Sequence, residues 1–168
     1  KFGGSSVANA ERIRHVASII KAYSDKKPVV VLSAMGDTTD HLLASADLAV
    51  TGIVDVAGVA KLHEETAALL GLNIDTIKAL LDELKQLLTG ISMLKEISKR
   101  SRDYLVSFGE RMSVRMMAAY LSKEGVSAKF FDAWDIGFES DSNYMEAELL
   151  DSVWDRIPEK LNAYKNGI

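Results

Sequence analysis

The chain has no cysteine. That absence removes disulfides, thiolate zinc sites and thiol nucleophiles together, and it suits a cytoplasmic protein. Proline is nearly absent as well: Pro28 and Pro158 are the only two, so no proline-rich linker divides the sequence. Histidine is scarce. His15, His41 and His63 stand far apart, without the spacing of metal ligands, and each reads as a surface or boundary residue, so no metal site is expected. No apolar run approaches the length of a membrane span. Positive charge is not in excess either. The 20 Lys and Arg are outnumbered by 24 Asp and Glu, giving a net charge of −4 with both signs mixed along the chain. Without a basic block, neither nucleic acid nor a membrane surface is an expected partner.

What remains is a chain of 168 residues, 48% hydrophobic and 26% charged. That composition belongs to a folded domain with a sizeable core. Ile13, Val16, Ile19, Ile20 and Tyr23 recur at helical spacing, so residues 9–24 read as an amphipathic helix capped by Asn9 or Ser6. Residues 28–34 form a β-branched run between turn signals, which reads as a strand buried on both faces of a parallel sheet. A helix is expected from Thr38 to Val50 and another over residues 55–71. Ile77, Leu80, Leu81, Leu84, Leu87 and Leu88 mark a further helix with Asp75 as its cap. A long helix over 101–123 ends at Gly125, a second strand follows over 127–133, and 145–164 reads as helix again. Strand–helix–strand alternation with a helical insert over about 38–100 predicts an α/β fold with a parallel sheet.

Three segments carry chemistry. Lys1-Phe2-Gly3-Gly4-Ser5-Ser6-Val7 places a lysine two residues before a Gly-Gly-Ser turn and a helix. Glycines let backbone N–H groups approach an anion, and the lysine is a mobile point charge, so the segment has the outline of a phosphate cradle. It is equally an ordinary turn before a helix cap. Ser33-Ala34-Met35-Gly36-Asp37-Thr38-Thr39-Asp40 occupies the carboxyl end of the first strand, where α/β sheets bind ligands. A capped helix start, with Asp37 or Thr38 as the cap, accounts for the same residues. Ser107-Phe108-Gly109-Glu110-Arg111 lies inside the long helix, where glycine costs about 1 kcal/mol against alanine. A glycine there points to close approach by another backbone or a ligand. The plainer alternative is helix packing at Gly109 with Glu110 solvated among Arg111 and Arg115.

In order, these segments resemble the aspartokinase branch of the amino acid kinase family. Residues 1–13 are similar to its opening signature, Val30-Val31-Leu32-Ser33-Ala34-Met35-Gly36 to its second strand and loop, and residues 101–111 to its substrate helix. Phe131-Asp132-Ala133 and Asp141-Ser142-Asn143-Tyr144 follow in the expected order. The resemblance implies a three-layer α/β/α sandwich with a mainly parallel sheet. It implies transfer of the ATP γ-phosphoryl group to the side-chain carboxylate of L-aspartate, the first step of lysine, threonine and methionine biosynthesis. ATP would bring Mg²⁺. Lys1 would be catalytic, neutralising the transferring group. Gly3, Gly4, Ser5 and Ser33 would lie with Lys1 on the ATP phosphates, and Thr39 and Glu110 would hold aspartate, Glu110 pairing its α-ammonium.

Met145-Glu146-Ala147 departs from the family pattern. Glu146 stands where many members place arginine or asparagine, and a carboxylate cannot pair the substrate α-carboxylate; it would instead begin the next helix. The family's nucleotide-binding half and regulatory domains have no counterpart here. Residues 1–168 are therefore expected to be the N-terminal, substrate-binding part of a catalytic domain, inactive alone, with an unpaired sheet edge after Gly167-Ile168 that favours a homo-oligomer. The alternatives are a family member acting on glutamate, acetylglutamate or a nucleotide, and a catalytically silent interaction fragment.

Overall fold

A computed structural model describes residues 1–164 of the chain. Its frame is six α-helices: α1 (Ala10–Ala22), α2 (Thr38–Val50), α3 (Ala57–Leu70), α4 (Asp75–Leu94), α5 (Lys99–Lys123) and α6 (Val153–Asn162). Short 3₁₀ turns at Gly4–Val7, Ser24–Lys26 and Ala133–Ile136 complete the regular structure.

Each helix begins and ends for a local reason. Asn9 caps α1, its Oδ1 accepting the Arg12 N–H at 3.0 Å; Ser6 instead lies in the first 3₁₀ turn. Of the expected α1 stripe, Ile13, Val16 and Ile20 are buried while Ile19 and Tyr23 stay exposed at its flank. At α4, Asp75 is the first helical residue rather than the cap, and Asn73 Oδ1 accepts its N–H at 3.0 Å. Ser98 Oγ caps α5 by accepting the Ser101 N–H at 3.1 Å. That helix stops at Gly125, whose φ of +81° is open to glycine at little cost. There the Val126 N–H reaches Leu121 O and the Gly125 N–H reaches Ser122 O, so the last carbonyls are satisfied. The carboxyl end of α3 is held by two cations, Arg14 on Leu69 O and Lys123 Nζ on Leu70 O, where the helix dipole favours positive charge.

The core centres on α5, which packs against α4, α2, α1 and α3, while α2 also meets α4. Leu105, Phe108, Met112 and Met116 of α5 are fully buried against Leu42 of α2 and the Leu84–Leu88 stripe of α4 in one apolar cluster. The expected insert is thus a helical layer on α5. Leu80 and Leu84 carry its contact, and Leu87 is only partly buried. Leu84→Ala should lower stability by about 2–5 kcal/mol, because the side chain is fully enclosed and its loss leaves a cavity. A urea midpoint shifted at constant m-value reads this directly; an unmoved midpoint would show that α4 does not pack as described.

Three expectations are corrected. Among the described residues no strand ladder forms. The parallel sheet is present only as one parallel bridge, Phe2 with Leu32, made by Phe2 N–H to Val31 O at 2.9 Å and Ser33 N–H to Phe2 O at 3.1 Å. Nor is the run buried on both faces as expected: Val29 and Val31 are exposed and Leu32 is buried, the alternation of an extended segment covered on one face. Residues 127–133 also lack a ladder and run into the 3₁₀ turn at Ala133–Ile136. The helix expected over 145–164 is shortened to α6. Residues 140–149 instead form a loop closed by an antiparallel bridge between Ser140 and Leu149, so Glu146 lies in that loop and begins no helix. The expected edge after Gly167-Ile168 lies outside the described residues.

His63 is the third correction. It is fully buried in α3, not at a boundary. Its Nδ1 donates to Val59 O at 2.8 Å, the tautomer that a carbonyl partner requires, while its Nε2 and the buried Nδ1 of His41 have no partner among the described residues. Burial pushes the His63 imidazole below its ordinary range, outweighing the Val59 hydrogen bond that favours the charged form. Because the folded state resists this proton, the unfolded state binds it first. Stability should therefore fall as pH drops through about 6.5, the unperturbed imidazole value, and level off below the folded pKa. Denaturation midpoints at pH 7.5 and 5.5 should differ in the wild type and differ less in His63→Gln; equal slopes would contradict it.

Candidate functional site

Three segments that lie far apart in sequence meet at Ala34. The Phe2–Leu32 bridge aligns the first loop with residues 31–33, and Gly36 N–H donates to Gly4 O at 3.3 Å. A Cβ at Gly4 would stand only 2.8 Å from Ala34 O, with Ser33 Oγ at 3.9 Å, so only glycine allows this approach. From the other side comes α5. A Cβ at Gly109 would lie 2.7 Å from the Ala34 methyl and 3.3 Å from Thr38 Cγ2. The mid-helix glycine thus serves packing, the plainer of the two readings: the atoms it admits are side chains, the Ala34 methyl and Thr38 and Leu42 of α2. The next residue, Glu110, turns back to the same loop, its Oε1 accepting the Ala34 N–H at 3.3 Å.

The sequence-derived residues therefore fall as follows. Gly4, Ser33 and Glu110 are brought together around Ala34. Lys1 and Phe2 lead into this cluster through the bridge, and Lys1 is exposed. Gly3 and Ser5 are exposed beside Gly4, and Gly3 has nothing within 4 Å of a built Cβ, so its surface is open. Thr39 sits in the first turn of α2, one residue past the buried Thr38 that faces Gly109. Asp37 occupies the cap position of α2 without a side-chain cap hydrogen bond. Glu110 is exposed, as the plainer alternative has it, but it does not sit among the arginines: its carboxylate turns to the Ala34 loop, while Arg111 and Arg115 turn to Asp132.

Those arginines form a second centre, which the sequence reading missed. Arg115 grips Asp132 with two parallel bonds, Nη1 to Oδ1 at 2.7 Å and Nη2 to Oδ2 at 2.9 Å. Arg111 reaches the same carboxylate through Nε at 3.3 Å and Glu83 of α4 through Nη2 at 3.2 Å. Tyr104 OH also donates to Glu83, and the Arg111 guanidinium stacks over Phe108 and Trp134. Asp132 is 6% exposed. Burial alone would raise its carboxyl. The hydrogen bonds and charge of Arg115, then those of Arg111, outweigh burial and hold it below the usual carboxylate range. The network fixes α5 in rotation, with Glu110 facing the Ala34 loop while its neighbours Arg111 and Arg115 face residue 132. No local signal marks this centre, since Arg111 and Arg115 lie 21 and 17 residues from Asp132 in sequence.

The 140–149 loop is pinned to the same helix. The Met145 N–H donates to Asp103 Oδ2 at 2.9 Å, and Arg100 lies over the Tyr144 ring. Met145 carries a φ of +75°, an uncommon conformation for a non-glycine residue. Among the described residues no group of three or more His, Asp or Glu is placed to hold a metal ion, and no helix is long and apolar enough to cross a membrane.

Known proteins share this sequence over nearly its whole length. The chain is 45% identical to aspartokinase 2, chloroplastic, of Arabidopsis thaliana, over 96% of its own length and 31% of that protein. It is 46% identical to aspartokinase 3, chloroplastic, of the same plant, over 96% of its length and 30% of that protein. The chain thus spans about a third of the length of the curated relatives it matches. Its fold is that of solved aspartokinases. Escherichia coli aspartokinase III, in complex with aspartate and ADP, superposes with a TM-score of 0.75 at 23% identity, covering 97% of this chain and 37% of that one. Clostridium acetobutylicum aspartate kinase superposes with a TM-score of 0.73 at 23% identity, covering 96% and 34%. With the sequence profile of the family matching residues 1–164, every described residue, the chain belongs to the amino acid kinase family.

Proposed function

We propose that the chain is the N-terminal, substrate-binding part of an aspartate kinase, which moves the γ-phosphoryl group of ATP onto the side-chain carboxylate of L-aspartate. The observation that carries this reading is the meeting of Gly4, Ala34 and Glu110: a loop glycine packs on the carbonyl oxygen of one residue and a carboxylate accepts its N–H. Two ends of a bifunctional substrate need two such poles. Glu110 takes the α-ammonium through charge-assisted hydrogen bonds, and Thr39 lies close by on α2. Lys1 and the amides of Gly3, Gly4 and Ser5, with Ser33 beside them, take the phosphates.

The chemistry then needs little else. A carboxylate oxygen of aspartate attacks the γ-phosphorus, the bond to the bridging oxygen of ADP breaks, and an acyl phosphate forms. The attacking group carries its charge already at neutral pH, so no general base is required. Catalysis is alignment together with neutralisation of charge on the transferring group. Mg²⁺ would enter with ATP and neutralise phosphate charge. The purine and ribose contacts and the remaining strands of a three-layer sandwich would fall to the two thirds of the relatives' length that this chain does not span.

A coupled assay of ADP release tests the reading. The full-length protein should release ADP only when aspartate is supplied, and the 1–168 chain should not. Aspartate-independent turnover, or none at all from folded full-length protein, would overturn it.

A further inference from the structure

Ala34 is met by two glycines, Gly109 of α5 at its methyl and Gly4 of the first loop at its carbonyl oxygen. The helix side is tight: a Cβ on Gly109 would meet Ala34 Cβ at 2.7 Å, Thr38 Cγ2 at 3.3 Å and Leu42 Cδ1 at 3.6 Å. The loop side is as close, with a Cβ on Gly4 placed 2.8 Å from Ala34 O. Neither obstacle can swing aside, since one is a methyl fixed to backbone and the other is backbone itself. Ala34, Thr38 and Leu42 are all buried. The two loops also move together, tied by Ser33 N–H to Phe2 O at 3.1 Å and Gly36 N–H to Gly4 O at 3.3 Å. Any displacement of residue 34 from α5 therefore carries the first loop with it.

We propose that the Gly4–Ala34–Gly109 stack is a spacer that sets the gap between the phosphate loop and Glu110, and so selects the length of the amino-acid substrate. The inference rests on the kinase reading above. Under that reading Glu110 holds one end of the substrate and the first loop holds the group its other end must reach. A substrate with one more methylene is longer by about 1.5 Å, one carbon–carbon bond. Adding a Cβ at residue 109 forces the Ala34 methyl back to an ordinary carbon–carbon separation of roughly 3.5–4.0 Å, a retreat of about 1 Å. The two lengths are of the same order. A thicker stack misplaces aspartate, at a cost of roughly 10²-fold per ångström of misalignment, and it relieves glutamate of its excess length. The same retreat breaks the 3.3 Å bond from Ala34 N–H to Glu110. Ala34 and Gly109 are on this account positioning residues that act on substrate through Glu110 and the loop.

The experiment measures kcat/KM for aspartate and for glutamate in the full-length protein, with thermal midpoints recorded alongside. Gly109→Ala should lower the aspartate value by about 10²-fold and narrow the aspartate-to-glutamate ratio by about tenfold, the scale of one methylene in a fitted pocket. Adding Ala34→Gly, which removes the methyl facing the new Cβ, should restore the preference for aspartate. Gly4→Ala thickens the stack from the other side and should narrow the ratio likewise, which keeps the test open if Gly109→Ala does not fold. Equal losses on both substrates in these variants, or no rescue by Ala34→Gly, would overturn the spacer while leaving an active wild type. A folded wild type that never turns over aspartate would overturn the kinase reading and this inference with it.

Discussion

Lys1→Ala in the full-length protein is expected to lower kcat by about 10²–10³-fold while changing the KM for aspartate little. The magnitude follows from removing one preorganised positive group from a site where charge develops in the transition state. Lys1 leads directly into the Phe2–Leu32 bridge, so the loop stays placed when its side chain is cut back. Nothing in the proposed ground state depends on that ammonium for holding aspartate. Glu110→Ala should behave in the opposite way. Its contact with the substrate ammonium already exists before reaction, so its loss should mainly raise KM. Steady-state kinetics on the two variants separates the roles. Equal losses confined to kcat in both would contradict the division.

The largest effect on stability is expected from Asp132→Ala, about 3–5 kcal/mol, read as a shifted denaturation midpoint. The carboxylate receives three hydrogen bonds, from both Nη atoms of Arg115 and from Nε of Arg111. Removing it leaves two largely buried guanidiniums facing one another, and Arg111 Nη1 already lacks a partner among the described residues. An uncompensated buried charge is what makes such a break costly. The same physics predicts that replacing all three partners by apolar residues of similar volume, Arg111→Met, Arg115→Met and Asp132→Leu, should recover most of the loss. A triple variant as unstable as Asp132→Ala would show instead that the pairing itself supplies the stability. The lowered Asp132 pKa adds a sign. Its contribution is fully present above about pH 4 and is lost as pH falls through the folded value.

The helices were legible because their signals are local. Asn9 before an apolar stripe, the leucine repeat of residues 77–88 and Gly125 after the long helix each act within a turn or two, and α1, α4 and α5 follow them. Residues 28–34 show where local signals stop. The β-branched run fixes extended backbone and an alternating face, but a ladder is made by partners, and here one bridge to Phe2 is what forms. Residues 145–152 went wrong for a related reason: their pattern fits a helix, yet Asp141 Oδ1 accepts the N–H groups of Asn143 and Glu148 and folds them into a loop. In the site, Gly109 and Glu110 stood out because glycine is costly inside a helix. Ala34 did not stand out, although it is the residue on which the segments converge, because a small apolar side chain carries no chemical signal. Its importance lies in what approaches it. Asp132 was hidden likewise: one carboxylate after two phenylalanines gives no hint that Arg111 and Arg115, about twenty residues earlier, both turn toward it.

On the proposed reading, Glu110 and the Lys1–Ser5 loop form the two poles of one substrate site, separated by Ala34. A crystal structure of the full-length protein with aspartate and a non-hydrolysable ATP analogue measures this directly. The account predicts the aspartate ammonium at hydrogen-bond distance from the Glu110 carboxylate, about 2.7–3.2 Å, with the side-chain carboxylate directed at the terminal phosphate beside Lys1. Aspartate bound in the reverse sense, or away from Glu110 altogether, would contradict it.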